Sequence, residues 1–127
     1  MYAKLITQDD IQILEFSAPV QTLEALENVS LILDKVDSQK RVLVLRQKKS
    51  GVFAGAFSTS IFCSWTVDQA KKFSFVLQQV CQKIWQFPGL SLALIDGSCG
   101  NEGFEIALAC RRRVATRKSY FFIRDIQ

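Results

Sequence analysis

The stretch LSLALIDGSCGNEGFEIALACRRRVA, residues 90–115, decides the fold. Residues 90–95 form a continuous apolar run, which is typical of a strand buried on both faces of a parallel sheet. The residues Asp96-Gly97-Ser98-Cys99-Gly100 predict a turn. A helix is expected from about Glu102 to Arg112, with Asn101 as a candidate N-cap. The three arginines 111–113 would then lie near the helix C-terminus and complement its dipole.

The same alternation of strands and helices continues on both sides of this stretch. The expected order is strand 3–7, strand 11–16, helix 22–36 with Thr22 as N-cap, strand 41–46, a Gly/Ala/Ser-rich loop 51–60, a helix beginning at Thr66 and ending before Pro88-Gly89, and a last strand 119–123. Such an alternation predicts an α/β fold with a mostly parallel sheet. In these sheets the ligand crevice lies at the carboxyl ends of the strands, where both glycine-rich segments, 51–60 and 97–103, are expected.

Composition narrows the chemistry. The chain has 127 residues, a net charge of +4 and no histidine, so a Ser-His or Cys-His nucleophile pair is excluded within it and a zinc site is disfavoured. Acid–base chemistry must therefore come from Asp, Glu, Lys, Tyr or Cys. The positive charges are not interleaved with aromatic residues, which disfavours nucleic acid as a partner.

The expected compartment is the cytoplasm. The N-terminus lacks a basic and then apolar leader, and no apolar run approaches the roughly 20 residues of a membrane helix. An even number of cysteines allows disulfides, but without a secretory signal we expect reduced, buried thiols. The four cysteines are Cys63, Cys81, Cys99 and Cys110.

Two segments resemble the crotonase (enoyl-CoA hydratase/isomerase) superfamily. RVLVLRQKKSGVFAGAF, residues 41–57, resembles the family's buried strand and its Phe-(Ser/Ala)-Ala-Gly-Ala-Asp loop. Residues 90–115 resemble its strand, Asp/Asn-Gly turn, three-glycine loop and Glu-bearing helix. The resemblance implies a ββα-repeat spiral core with a mostly parallel sheet, as a single truncated domain over residues 1–127 that lacks the family's C-terminal helical part.

The resemblance also implies a function and a site. Crotonase-type proteins act on acyl thioesters of CoA or a carrier protein and stabilise an enolate with two backbone N–H groups, which here fall on Ala56 and Glu102. Glu105 and Asp125 fall on the two catalytic carboxylates. The matched substrate-binding positions are Phe53, Ala54, Gly55, Phe57 and Gly103. The resemblance implies no cofactor, and acyl-CoA is the expected substrate or ligand. The expected protein partner is a second copy of the chain in a trimer-based homo-oligomer. No membrane partner is expected.

Several departures keep a second function open. Asn101-Glu102-Gly103 stands where the family has three glycines, and Phe57 and Arg111 stand where it has Asp. Glu105 could be only a helix-start carboxylate that the dipole favours, and Asp125 only a solvated terminal acid. The alternative to an active enzyme is therefore a catalytically silent, crotonase-like subunit that serves assembly or partner binding.

Overall fold

The strands form two sheets, and from the third strand onward they alternate between them along the chain. A computed structural model describes residues 2–17, 20, 22–54 and 64–123. The first sheet has the order β1-β2-β3-β5-β7 and the second the order β4-β6-β8. The strands are β1 Ala3–Gln8, β2 Ile11–Phe16, β3 Val42–Gln47, β4 Gly51–Val52, β5 Leu90–Ile95, β6 Gly97–Gly100, β7 Arg112–Ala115 and β8 Tyr120–Phe122.

Successive turns of the chain build a spiral. β1 and β2 form an antiparallel hairpin, and every later pairing in both sheets is parallel. From β3 onward each turn gives one strand to the first sheet and one to the second, and a helix follows β4 and β6. This arrangement is the ββα repeat that the sequence predicted.

Three helices complete the turns: α1 Leu23–Leu33, α2 Val67–Trp85 and α3 Glu102–Ala109. The predicted N-cap of α1 is confirmed, since the Thr22 hydroxyl accepts a hydrogen bond from the Ala25 amide. Thr66 and Gln69 form a reciprocal capping box at the start of α2. The core lies between the first sheet and the helices; its largest fully buried side chains include Phe16, Phe53, Leu14, Leu26, Leu43, Leu45 and Ile84.

Three predicted segments were wrong in type or in length. Residues 97–100, predicted as a turn, form strand β6, and a Cβ at Gly97 would overlap the backbone of Gly51 on the neighbouring strand. The helix predicted to reach Arg112 ends at Ala109, and Arg112–Ala115 pairs with β5 as strand β7. Pairing along β5 continues the sheet, and the Arg111 amide is already held by the Ser91 hydroxyl at 2.8 Å. Helix α1 also ends before Val36, at Leu33.

Candidate functional site

The pairing of β4 with β6 brings the two glycine-rich segments together. Gly51 and Val52 lie opposite Gly97 and Ser98, and the Phe53 amide donates to the Ser98 carbonyl at 2.8 Å. Because the two strands are parallel, the chain leaves both at the same edge of the sheet. Phe53 and Ala54 therefore lie beside the residues that start α3.

The first loop begins with a strained residue. Ala54 has φ 56°, a left-handed conformation that costs a non-glycine residue about 1–2 kcal/mol. Its amide donates to the Gln47 side chain at 2.9 Å, and its carbonyl accepts from the Val20 amide at 2.8 Å. Hydrogen bonds on both sides hold the backbone in this conformation.

Phe53 and Ala54 are both fully buried. The Phe53 ring packs edge-on against Phe16 at 5.9 Å between centroids. Their role in substrate binding stays a prediction. The predicted residues Gly55, Ala56 and Phe57, with the first oxyanion amide, lie outside the described residues.

The second loop turns sharply into α3. Asn101 has φ 48°, so a non-glycine residue takes the positive φ that the family's glycines would adopt easily. Its amide donates to the Phe122 carbonyl at 3.1 Å. Asn101 is at the N-cap position as predicted, but its side chain makes no capping hydrogen bond. The backbone bond to β8, rather than a side-chain cap, fixes this helix start.

Glu102 opens α3 and is buried, with 3% of its surface exposed. Gly103 follows it and is also buried. A carboxylate in the first turn of a helix is favoured by the helix dipole. It also puts a buried carboxyl group beside the amide that the sequence assigns as the second oxyanion donor.

Glu105 lies one turn further along the exposed side of α3, and its amide donates to the Asn101 carbonyl at 3.0 Å. Partial burial raises the pKa of its carboxyl above the ordinary value of 4.5. A pKa raised in this direction makes the carboxylate a stronger base than a free glutamate. The second predicted carboxylate, Asp125, lies outside the described residues.

The described cysteines are free and poorly suited to nucleophilic chemistry. Burial raises the pKa of the Cys81 thiol to about 11, and the nearby Glu105 carboxylate adds to the increase. Burial also raises the pKa of Cys99 to about 11 and that of Cys110 to about 12. The three cysteines form no disulfide, and their raised pKa values disfavour the thiolate at neutral pH.

Sequence reasoning missed the hydrogen bonds and the strand pairing that hold the two loops of the site. The bond from the Ala54 amide to the Gln47 side chain spans seven residues, and the β6–β8 pairing behind Asn101 joins segments about twenty residues apart. The glycines at 51, 97 and 100 were the available signal, since a Cβ at Gly97 or Gly100 would overlap Gly51 or the Phe122 ring. Within the described ranges no group of Asp, Glu or Cys side chains could hold a metal ion, and none of the described helices is long and apolar enough to cross a membrane.

Comparisons with known proteins agree with this architecture. No family model matches the chain. It is 31% identical over 121 residues to the fatty acid oxidation complex subunit alpha of Aliivibrio fischeri and 32% identical over 117 residues to that of Shewanella oneidensis, matches that cover 87% and 86% of this chain. The chain spans only 18% and 17% of those relatives.

Solved structures match the fold over nearly the whole chain. The enoyl-CoA hydratase of Bacillus halodurans superposes with a TM-score of 0.83 at 21% identity, covering 95% of this chain and 52% of that one. The enoyl-CoA hydratase of Bacillus anthracis gives a TM-score of 0.85 at 18% identity, covering 97% and 50%. The chain therefore spans about half of these structures, and the fold predicted from the sequence is confirmed.

Proposed function

We propose that this chain, whose fold is that of the N-terminal half of the crotonase (enoyl-CoA hydratase/isomerase) superfamily, binds an acyl thioester at the edge where β4 and β6 end. The observation that carries the proposal is the parallel pairing of those strands, which brings Phe53 and Ala54 to the edge of the sheet from which the chain enters α3. CoA and carrier proteins both present the same thioester carbonyl, and the proposal covers both.

The proposed chemistry needs two donors aimed at one oxygen. Removing a proton next to the thioester carbonyl, or adding water to a conjugated alkene, places negative charge on that oxygen. The Ala56 and Glu102 amides are the proposed donors, and losing one such donor typically costs about 3–4 kcal/mol of transition-state stabilisation. The positive end of the α3 dipole adds to the effect.

Glu105 is the proposed general base. It lies in the first turn of α3, next to the second donor, and partial burial raises its pKa. In a hydratase it would deprotonate the attacking water, and in an isomerase it would move a proton between carbons of the acyl chain. Asp125 is the proposed second carboxylate.

Turnover of crotonyl-CoA tests this function. Glu105→Gln removes the base and is expected to lower kcat by about 10²–10⁴-fold. Glu24→Gln is the matched control, because Glu24 is also an exposed carboxylate in the first turn of a helix, α1. Equal activity in the wild type and in Glu105→Gln would contradict the role of Glu105.

The buried Glu102 carboxylate favours a second function, a catalytically silent subunit for assembly or partner binding. Negative charge at the second donor opposes the charge that develops on the thioester oxygen. A silent subunit would turn over no acyl-CoA, and neither CoA nor its esters would raise its melting temperature, since a ligand that binds the folded state stabilises it.

A further inference from the structure

The end of α3 that points away from the proposed thioester site borders a second concave surface. This surface, here called the arginine groove, encloses about 470 Å³ and is lined by Trp85, Leu90, Leu108, Cys110 and Arg111–Arg113. It lies where α2 and α3 end and where β5 and β7 begin. The eight residues of α3 separate it from Glu102 by about 12 Å.

The sequence predicted that the three arginines lie at the C-terminus of α3 and complement its dipole. The structure bears this out for one of them. Because α3 ends at Ala109, only Arg113 serves its C-terminus, donating to the Ala107 and Cys110 carbonyls at 3.2 and 2.8 Å. Arg112 donates to the neighbouring Arg111 carbonyl at 3.1 Å. Arg111 and Arg112 thus present exposed guanidinium groups at the start of β7.

The arginines of the groove have no acidic partner within residues 2–17, 20, 22–54 and 64–123. No ion pair formed within the described residues includes Arg111, Arg112 or Arg113. The planar guanidinium donates two parallel hydrogen bonds to the oxygens of a phosphate, which a lysine ammonium cannot do. The groove therefore suits an anion, and a phosphate in particular.

The remaining walls of the groove are apolar and open. Trp85 is 67% exposed, although it ends a helix whose other face is in the core, and Leu90 and Leu108 are 40% and 50% exposed. An exposed indole beside arginines is a surface on which a flat aromatic ring stacks. Ligand sites of this kind combine an apolar wall with a few fixed polar groups, in volumes of about 300–1,000 Å³.

We propose that the arginine groove binds a small phosphorylated aromatic compound, with its ring on Trp85 and its phosphate on Arg111 and Arg112. A nucleoside monophosphate is the simplest compound of this class. The site is separate from the proposed thioester site and does not depend on it.

The groove carries its own reporter. The chain has two tryptophans, and Trp65 is half-buried against Phe73 at 5.0 Å, so Trp65→Phe leaves Trp85 as the single indole. Titration of that variant with AMP is expected to quench the Trp85 emission to saturation. Inorganic phosphate and adenosine, each with half of the recognised features, are expected to bind at least about tenfold more weakly in competition.

The matched variants separate the groove from general charge. Arg111→Gln with Arg112→Gln is expected to weaken AMP binding at least about tenfold. Lys71→Gln with Lys72→Gln removes the same charge from the exposed face of α2 and is expected to change it less than about twofold. Circular dichroism checks that each variant is folded.

Three results would overturn the proposal. They are an unchanged Trp85 emission up to about 10 mM AMP, an equal loss of binding in both double variants, and binding of inorganic phosphate as tight as that of AMP. The first would leave the groove without a ligand of this class, and the others would reduce it to a general basic surface.

Discussion

Glu102 is the residue that best distinguishes the two proposed functions, an active enzyme and a catalytically silent subunit. Its carboxylate is buried at the start of α3, where the proposed second donor lies. Glu102→Gly removes the carboxylate while keeping the backbone amide. One well-placed donor is worth about 10²–10³ in rate, and the carboxylate opposes this donor, so the variant is expected to raise crotonyl-CoA turnover by about 10-fold or more.

Glu102→Gln is the control for charge against backbone freedom. If charge alone suppresses activity, both variants gain turnover equally; if the helix start must also relax, only the glycine variant gains. Lower turnover in both variants would show instead that the carboxylate helps the site.

Glu105 links the site to pH. The folded state raises the pKa of this carboxyl, so it holds the proton more tightly than the unfolded chain does. The resulting stability is present below the ordinary pKa of 4.5 and is lost as pH rises through the raised value. Glu105→Gln is therefore expected to raise the melting temperature at pH 7, with a difference that shrinks toward pH 4.5.

Glu24→Gln is again the control for that measurement. It removes a carboxylate that the dipole of α1 favours, so it is not expected to stabilise the protein at pH 7. A melting temperature of Glu105→Gln that stays at or below that of the wild type at pH 7 would contradict the assigned burial.

Ala54 stores backbone strain at the first loop. Ala54→Gly relieves the positive φ and is expected to stabilise the fold by about 1 kcal/mol, measured by urea unfolding. Ala93→Gly is the comparison, because Ala93 is equally buried but lies inside β5, where glycine is expected to destabilise by about 0.5–1 kcal/mol. Equal destabilisation by both changes would mean that Ala54 is not strained.

At the scale of single elements, local signals predicted what local forces decide. The 3.6-residue periodicity and Thr66 located α2, and the apolar run 90–95 located β5 with the same limits as in the structure. The limits that were wrong depend on distant partners. Segment 97–100 becomes a strand because Gly51 and Val52 pair with it, and α3 ends early because 112–115 pairs with β5.

The candidate site divides in the same way. Motif order predicted that the segment with Glu102, Gly103 and Glu105 and the segment with Phe53 and Ala54 form one site. The parallel pairing of β4 with β6 brings both segments to one edge, and the roles of the residues stay a prediction. The positive φ angles of Ala54 and Asn101 follow from hydrogen bonds to Gln47, Val20 and Phe122. Val20 and Phe122 are distant in sequence from the residues they hold, so no local pattern could reveal those two bonds, and the Gln47 bond spans seven residues.

The capping box at the start of α2 contributes to the free energy of unfolding. Thr66→Val keeps the shape of the side chain but removes the hydroxyl that accepts from the Gln69 amide at 3.2 Å. The expected cost is about 0.5–2 kcal/mol in the free energy of unfolding, measured with urea. Thr7→Val is the control on the exposed edge strand β1, where the change is expected to stay within about 0.5 kcal/mol.

At the scale of the whole molecule, one side of the spiral has no further strand among the described residues. β7 and β8 are the last strands of their sheets, and apolar side chains there are 45–72% exposed: Val114, Tyr120, Phe121 and Ile123. An open strand edge with exposed apolar residues favours pairing with another chain. The homo-oligomer stays a prediction, and these strands are where we expect it to form.

Sedimentation velocity tests that association. We expect a concentration-dependent oligomer, and Val114→Lys with Phe121→Lys is expected to shift it toward monomer by placing charge on both edges. Leu31→Lys with Phe75→Lys, at exposed positions on α1 and α2, is the matched control that keeps the oligomer. A wild type that stays monomeric at high concentration would rule the association out.

The central claim is that two amides at the β4–β6 edge polarise one thioester carbonyl. The most direct measurement is the ¹³C NMR shift of crotonyl-CoA labelled at that carbonyl carbon, bound to the Glu105→Gln variant so that no turnover occurs. We predict a downfield shift on binding, because donors aimed at the oxygen withdraw electron density from the carbon. A bound ligand whose carbonyl resonance stays at its position in free solution would contradict the account.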